Sequence, residues 1–381
     1  MQISSNRRKL VKYCAASMAG SVMGWSSSLS RAAEPDAIAI AQVVDMSAGQ
    51  QEVSRDFMAG SKVAWQNLNA RGGIRGKKIQ HLVMEVDGTP ESVKNAWNSI
   101  ISDARCVAIS GCVGNNLSEQ LCALQKSAGI ARSLPIIAPW MHNPAEKGNP
   151  EGSFDIFAGH RQQIEFAVRS LAVMGVPRVV TVFASPLYEQ QSRSSVERAA
   201  LATRISVNHV PASTFSTNGY KYQPEVPVVL FLGDTLQLHE FIQQLAMPAG
   251  RQCYVIALAD VNLQVLAQMS KIPRQISVVA TQVVPPVTAG MPVAREYREA
   301  LGRLFDEEPT PQGLAGFIAA KFTENAISRS AQPVTRSSLL TALKKREDSD
   351  LGGFNVIFDG KSRISHYVTQ TVIASDGRVL R

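Results

Sequence analysis

Long hydrophobic runs are missing from this chain, and so are clustered cysteines, catalytic signatures and blocks of one charge. A membrane-spanning helix needs about 20 consecutive apolar residues. The mildly apolar run near the start, Tyr13–Leu29, is shorter than that and carries several serines. Five cysteines in 381 residues form no CxxC pair and no Cys/His metal spacing, and the six histidines are scattered singly. GxSxG, GxxxxGK[ST] and HExxH are absent, which lowers the odds of hydrolase, nucleotide-dependent and zinc chemistry. The expectation is a binder rather than an enzyme, with no catalytic residues, no cofactor and no metal. Aromatic residues make up 6% of the chain and no Lys/Arg run is interleaved with them, so nucleic acid is excluded as a partner.

The basic excess is local. Residues 1–32 contain Arg7, Arg8, Lys9, Lys12 and Arg31 and no acid, and taking these five from 39 basic residues leaves 34 against 31 acidic. A basic start, a mildly apolar run and Ser30-Arg31-Ala32 before Ala33 have the layout of a cleaved export signal. The paired arginines fit either the twin-arginine route or a general secretory signal. Both place the protein outside the cytoplasm, in the periplasm, where disulfides persist. Cys106, Cys112, Cys122 and Cys253 are left after cleavage, and one bridge among the first three or four buried free thiols both fit the sequence.

From Ala37 onward apolar runs alternate with amphipathic helical patterns, as in parallel sheets covered by helices on both faces. Strands are expected at 38–44, 79–86, 107–110, 136–138, 179–183, 205–210, 228–232, 254–258 and 276–280. Helices are expected near 52–71, 90–104, 117–128, 161–174, 188–202, 236–246 and 262–270. The chain exceeds the usual size of one core, so two domains are expected. Ser213–Val226, rich in Ser, Thr, Gly, Asn and Pro, reads as an exposed excursion.

Phe57–Ile79 is the most specific segment. Phe57, Val63, Ala64 and Leu68 recur at helical spacing, and Gly72, Gly73 and Gly76 end the helix and turn the chain into a buried strand. Thr281–Pro285 followed by Pro292–Tyr297, then Asp350–Phe354, Tyr367-Val368 and Asp376-Gly377-Arg378, come in a fixed order behind it. Together these segments resemble type I periplasmic binding proteins of the leucine/isoleucine/valine-binding class. The resemblance implies an α/β fold of two doubly wound parallel-sheet lobes joined by a multi-strand hinge, with a ligand cleft between them. Lobe 1 is expected to comprise 33–157 and 286–345, with helices near 292–305 and 313–329, and lobe 2 to comprise 158–285 and 346–381. It also implies an exported receptor that captures a small polar molecule, an amino acid, amide or carboxylate, and presents it to the membrane permease subunits of an ABC importer. A periplasmic sensor that docks on a signalling receptor is the alternative.

Ligands of open parallel sheets lie beyond the carboxyl ends of the strands, which directs attention to six loops. Asn115 and Asn116 follow Gly111–Gly114, where the resemblance implies hydroxyl donors to a ligand carboxylate, and Asn116 also reads as a helix cap. In the next loop Trp140 either floors a ligand or packs in the lobe interface, His142 either donates to a ligand carboxylate or packs there too, and Met141 is a further contact candidate. Tyr188 matches the aromatic residue that closes over the ligand, although Glu189 stands where the resemblance has a glycine. Where the resemblance implies an acid for a ligand ammonium, near Ile256, the place is apolar. Asp234 and Asp260 are its candidate substitutes, each of which also reads as a helix N-cap, and Asp45 and Ser47 share that ambiguity.

Overall fold

The computed structural model describes residues 37–129, 134–140, 152–211, 214, 221–269, 272–345, 347–358, 363–365, 367–373 and 379–380. Residues 1–36, with the expected export signal, and Met141 and His142 lie outside the described residues, as does most of the Ser213–Val226 excursion. The end of that excursion is tied down, with Tyr222 bridging to Leu245 and packing on Phe241.

The first sheet contains β1 (Ile38–Asp45), β2 (Ile79–Val86), β3 (Cys106–Ser110), β4 (Ile136–Ile137) and β5 (Ser153–Phe154) in the order β2-β1-β3-β4-β5, all parallel. Its helices are α1 (Gln51–Ala70), α2 (Pro90–Ser102) and α3 (Asn115–Ala128). The second sheet begins after α4 (His160–Val173) with β6 (Arg178–Phe183). It continues through α5 (Pro186–Thr203), β7 (Ser206–Val210), β8 (Val228–Leu232), α6 (Thr235–Gln244), β9 (Cys253–Ala257), α7 (Leu263–Met269) and β10 (Ile276–Gln282). The chain then supplies α8 (Pro292–Leu304), α9 (Pro311–Arg329) and α10 (Arg336–Lys344). A small antiparallel sheet follows, of β11 (Ser349–Asp350), β12 (Asn355–Phe358) and β13 (Arg363–Ile364), and last come β14 (Thr369–Ile373) and β15 (Val379–Leu380). The second sheet has the order β15-β14-β10-β9-β8-β6-β7, parallel from β7 to β10 and antiparallel through β14 and β15.

The period of two along each strand feeds both faces of each sheet. In β1, Ile38 and Ile40 enter the core under α1, α8 and α9, whereas Ala39, Ala41 and Val43 face α2 and α3. In β8, Val229 and Phe231 meet α6 and α7, whereas Val228, Leu230 and Leu232 meet α4 and α5. A strand buried on both faces has no polar alternation, which is why these segments read as continuous apolar runs.

Glycine permits two close approaches that position the first lobe. A methyl group on Gly60 of α1 would lie 1.7 Å from the Gly313 carbonyl oxygen, and one on Gly316 of α9 would lie 1.9 Å from that of Phe57. The two helices therefore meet backbone to backbone, with Ser61 Oγ donating to the Gly316 carbonyl at 3.1 Å. After α1, Gly72, Gly73 and Gly76 take positive φ, and a side chain on Gly73 would strike the Lys77 carbonyl at 2.1 Å. Asn69 locks this turn to β2 by exchanging two 2.8 Å hydrogen bonds with the backbone of Ile79.

The chain passes between the lobes at 155–159, at 283–291 and at Ser365, Tyr367 and Val368. Val283, Val284 and Val287 are buried in the first lobe's core although Ala280, just before them, belongs to the second. Ser365 N–H donates to the Ile156 carbonyl at 2.9 Å, which pairs the third crossing with the first. The segment after 346 is divided: Leu351, Phe354 and Val356 are buried with Val293 and Tyr297 of the first lobe, and the chain joins the second sheet from Thr369. The helix α10, capped by Thr335 and Ser338 in a reciprocal box, also packs on the first lobe.

Candidate functional site

Strand order locates the crevices. In the first sheet it reverses between β1 and β3, and in the second between β6 and β8, so the loops leaving those four strands diverge and leave an opening at their carboxyl ends. The loops are Asp45–Gln50 and Gly111–Asn115 on one lobe, and Ala184–Tyr188 and Gly233–Thr235 on the other. They approach each other, since a methyl group on Gly49 would lie 3.7 Å from Asp234 Oδ2.

Ser185 caps α5 by accepting from Tyr188 N–H at 3.4 Å, and Pro186 follows at the first helical position. The helix thus starts earlier than the expected residue 188. Glu189 falls in its first turn, where it pairs with Arg193 and no glycine is required. Tyr188 stacks on His160, with ring centroids 6.2 Å apart and planes inclined by 22°. His160, the first residue of α4, directs Nε2 to Asp260 at 3.0 Å from Oδ1 and 2.9 Å from Oδ2, with both side chains almost fully buried. Burial is the largest single influence on His160 and pulls its pKa down, but the charge and hydrogen bond of Asp260 together outweigh it and leave the imidazole raised. Burial, then the carboxylates of Asp260 and Asp234, pushes the Tyr188 phenol well above its ordinary value.

Asp234 caps α6: Oδ1 accepts from Gln237 N–H at 2.8 Å, while the Gln237 side chain accepts from Asp234 N–H. Its pKa is raised, chiefly by burial, against the lowering effect of these capping bonds. The cap reading therefore holds for Asp234, whose Oδ2 faces Gly49. It does not hold for Asp260, because Asn262 Oδ1 accepts from Gln264 and Val265 N–H at the start of α7 and Asp260 is engaged by His160 instead. Asn116 is not a cap either. Gly114 occupies that position with φ +93°, Asn115 is the first helical residue and donates to Glu119 at 2.8 Å, and Asn116 is exposed.

On the first lobe Asp45 is buried and accepts from Ser47 N–H at 2.9 Å. Trp140 packs between Phe57 and Phe157, at 6.1 and 4.9 Å, in the core. Gln50, which sequence reasoning missed, lays its side chain over Gly114, and its Oε1 is buried without a partner among the described residues. Also missed were His160 and two leucines at helix starts, Leu187 and Leu236, which stay 54% and 50% exposed beside Tyr188 and Asp234. Both leucines belong to the first turns of the helices that follow β6 and β8.

Gln163 fastens the site to the crossings. Its Oε1 accepts from Ala259 N–H at 2.9 Å and from Thr281 Oγ at 2.6 Å, and its Nε2 donates to the Ala158 carbonyl at 3.1 Å. The four described cysteines are free and buried. Burial pushes Cys106 and Cys253 up to about 11 and Cys112 and Cys122 up to about 12, which leaves them unreactive. A groove of about 290 Å³ lies away from the cleft, between α8, α9 and β11, and there Lys321 is paired with both Glu296 and Glu324. Among the described residues no group of His, Cys, Asp and Glu has a metal-binding arrangement, and no helix is long and apolar enough to cross a membrane.

Two α/β lobes with an opening at facing strand ends define a cleft-binding class. The profile of the periplasmic binding protein family matches residues 37–378, and the chain belongs to that family. Its fold is that of the leucine/isoleucine/valine-binding type. It is similar to a substrate-binding periplasmic protein from Ralstonia solanacearum, with 24% identity, 90% of this chain and 99% of that one covered, and a TM-score of 0.76. It is similar as well to a leucine-binding protein from Thermotoga maritima (17%, 90% and 97%, 0.73) and to a fatty acid ABC transporter substrate-binding protein from Thermomonospora curvata (14%, 91% and 91%, 0.74). No curated protein matches by sequence.

Proposed function

We propose that this chain is an exported, non-enzymatic solute receptor. It closes its two lobes on a small molecule in the periplasm and delivers it to the permease subunits of an ABC importer. Residues 1–32 act as the export signal. The lobes comprise 33–157 with 286–345 and 158–285 with 346–381, the stretch around Leu351–Val356 packing with the first. The ligand wall is formed by Tyr188, Asp234 and Asp260 from the second lobe and by Asn115 and Asn116 from the first. Met141 and His142 join them on the strength of the sequence.

One observation carries this reading. An aromatic ring, a buried His–Asp pair and a capping carboxylate from separate elements converge at the second sheet's switch point, where the lobes come together at Gly49 and Asp234. Structurally similar receptors are named for leucine and for fatty acids, which agrees with an apolar-bodied ligand resting against the exposed Leu187 and Leu236. Thermal-shift screening of the mature protein against amino acids, amides and carboxylates, followed by calorimetry of Tyr188→Ala, tests the proposal. The variant is expected to bind at least several-fold more weakly while folding normally. Unchanged affinity would move the ligand away from this cleft.

A further inference from the structure

An α-ammonium group carried into a closed cleft loses its water and needs a carboxylate in exchange. Two carboxylates stand at the second wall, and each is partly engaged: Asp260 Oδ1 is hydrogen-bonded by His160, and Asp260 Oδ2 lies 2.9 Å from the same nitrogen but has no hydrogen-bond partner among the described residues. Asp234 spends Oδ1 on the helix cap and keeps only Oδ2 toward Gly49. The imidazole comes from a different element, 100 residues earlier in the chain, and is itself fixed by the stacked ring of Tyr188. A ligand ammonium would compete for Asp260 with an imidazole nitrogen that already lies 3.0 and 2.9 Å from its two oxygens, whereas a ligand without one leaves the pair undisturbed. The neighbouring Leu187 and Leu236 offer contact to a hydrocarbon body. His160 Nδ1 is buried with no partner among the described residues, so the ring also holds a polar atom in reserve at this wall.

We infer that His160 is a specificity-determining residue, which by occupying Asp260 selects short apolar-bodied carboxylic acids and amides over the corresponding α-amino acids. The inference rests on the receptor reading of this cleft. Isocaproate and L-leucine, which differ only by the amino group, are the probes. Calorimetry on the mature wild-type protein is expected to show isocaproate binding at least tenfold tighter. His160→Ala frees Asp260 and is expected to shift the isocaproate-to-leucine affinity ratio at least tenfold toward leucine. His160→Asn, which keeps a neutral donor beside Asp260, is expected to shift it several-fold in the same direction, and it serves if the alanine variant does not fold. A loss of packing alone would weaken both probes equally and leave the ratio unmoved. A wild-type preference for leucine, or an unchanged ratio in a folded variant, overturns the assignment of His160 while leaving the receptor reading intact. Binding of neither probe by either protein, with no other solute captured in the screen, overturns both.

Discussion

Replacing Gln163 by leucine keeps most of the side chain's volume and removes all three of its hydrogen bonds, to Ala259 N–H, Thr281 Oγ and the Ala158 carbonyl. A typical intramolecular hydrogen bond contributes about 1 kcal/mol net, and stranding a buried partner costs about 1 to 3 kcal/mol. Gln163, Thr281 and Ala158 are all buried, so water cannot readily take over. The loss works out at roughly 3 to 5 kcal/mol, a large share of the stability of an ordinary domain. Urea unfolding should show it as a lowered midpoint with an unchanged slope. Thr281→Val removes one of the three bonds and should cost about 1 kcal/mol, and the double variant should cost less than the sum of the two because the shared bond is lost once. A cost below about 1 kcal/mol for Gln163→Leu, or full additivity, would refute the view that this side chain fastens the second lobe to the crossings.

His81 on β2 is held near pKa 4, by burial first and by Lys62 second. The folded state therefore keeps it neutral while the unfolded chain takes up a proton below about pH 6.5, so its contribution is present above that pH and is lost as pH falls toward 4. The difference amounts to up to about 3 kcal/mol, and His81→Gln should flatten the stability profile between those values, which an unchanged profile would contradict. Gly60→Ala gains about 1 kcal/mol of helix propensity. It nonetheless drives a methyl group into the Gly313 carbonyl, for a net loss of about 2 kcal/mol in urea unfolding, and a neutral result would mean that α1 and α9 do not meet backbone to backbone.

The layers were readable because strands such as β1 and β8 are apolar throughout and each is followed by an amphipathic helix. The small sheet escaped notice, since strands of two to four residues have no period to detect. In the site, Tyr188 and Asp234 were visible as residues that follow strands. His160 was invisible because its partner is 100 residues away and nothing local distinguishes it from a helix-start polar residue. Asp260 was ambiguous because an acid shortly before a helix reads as a cap, and the true cap, Asn262, lies only two residues further on.

Capture of a solute between the lobes is tested most directly by amide hydrogen exchange of the mature protein with and without a solute found by thermal shift. Added protection is expected at 46–50 and 111–115 on one lobe and at 185–189, 233–237 and 259–262 on the other. Protection confined to one lobe, or centred on the groove at 321–328 and 350–352, would contradict the account.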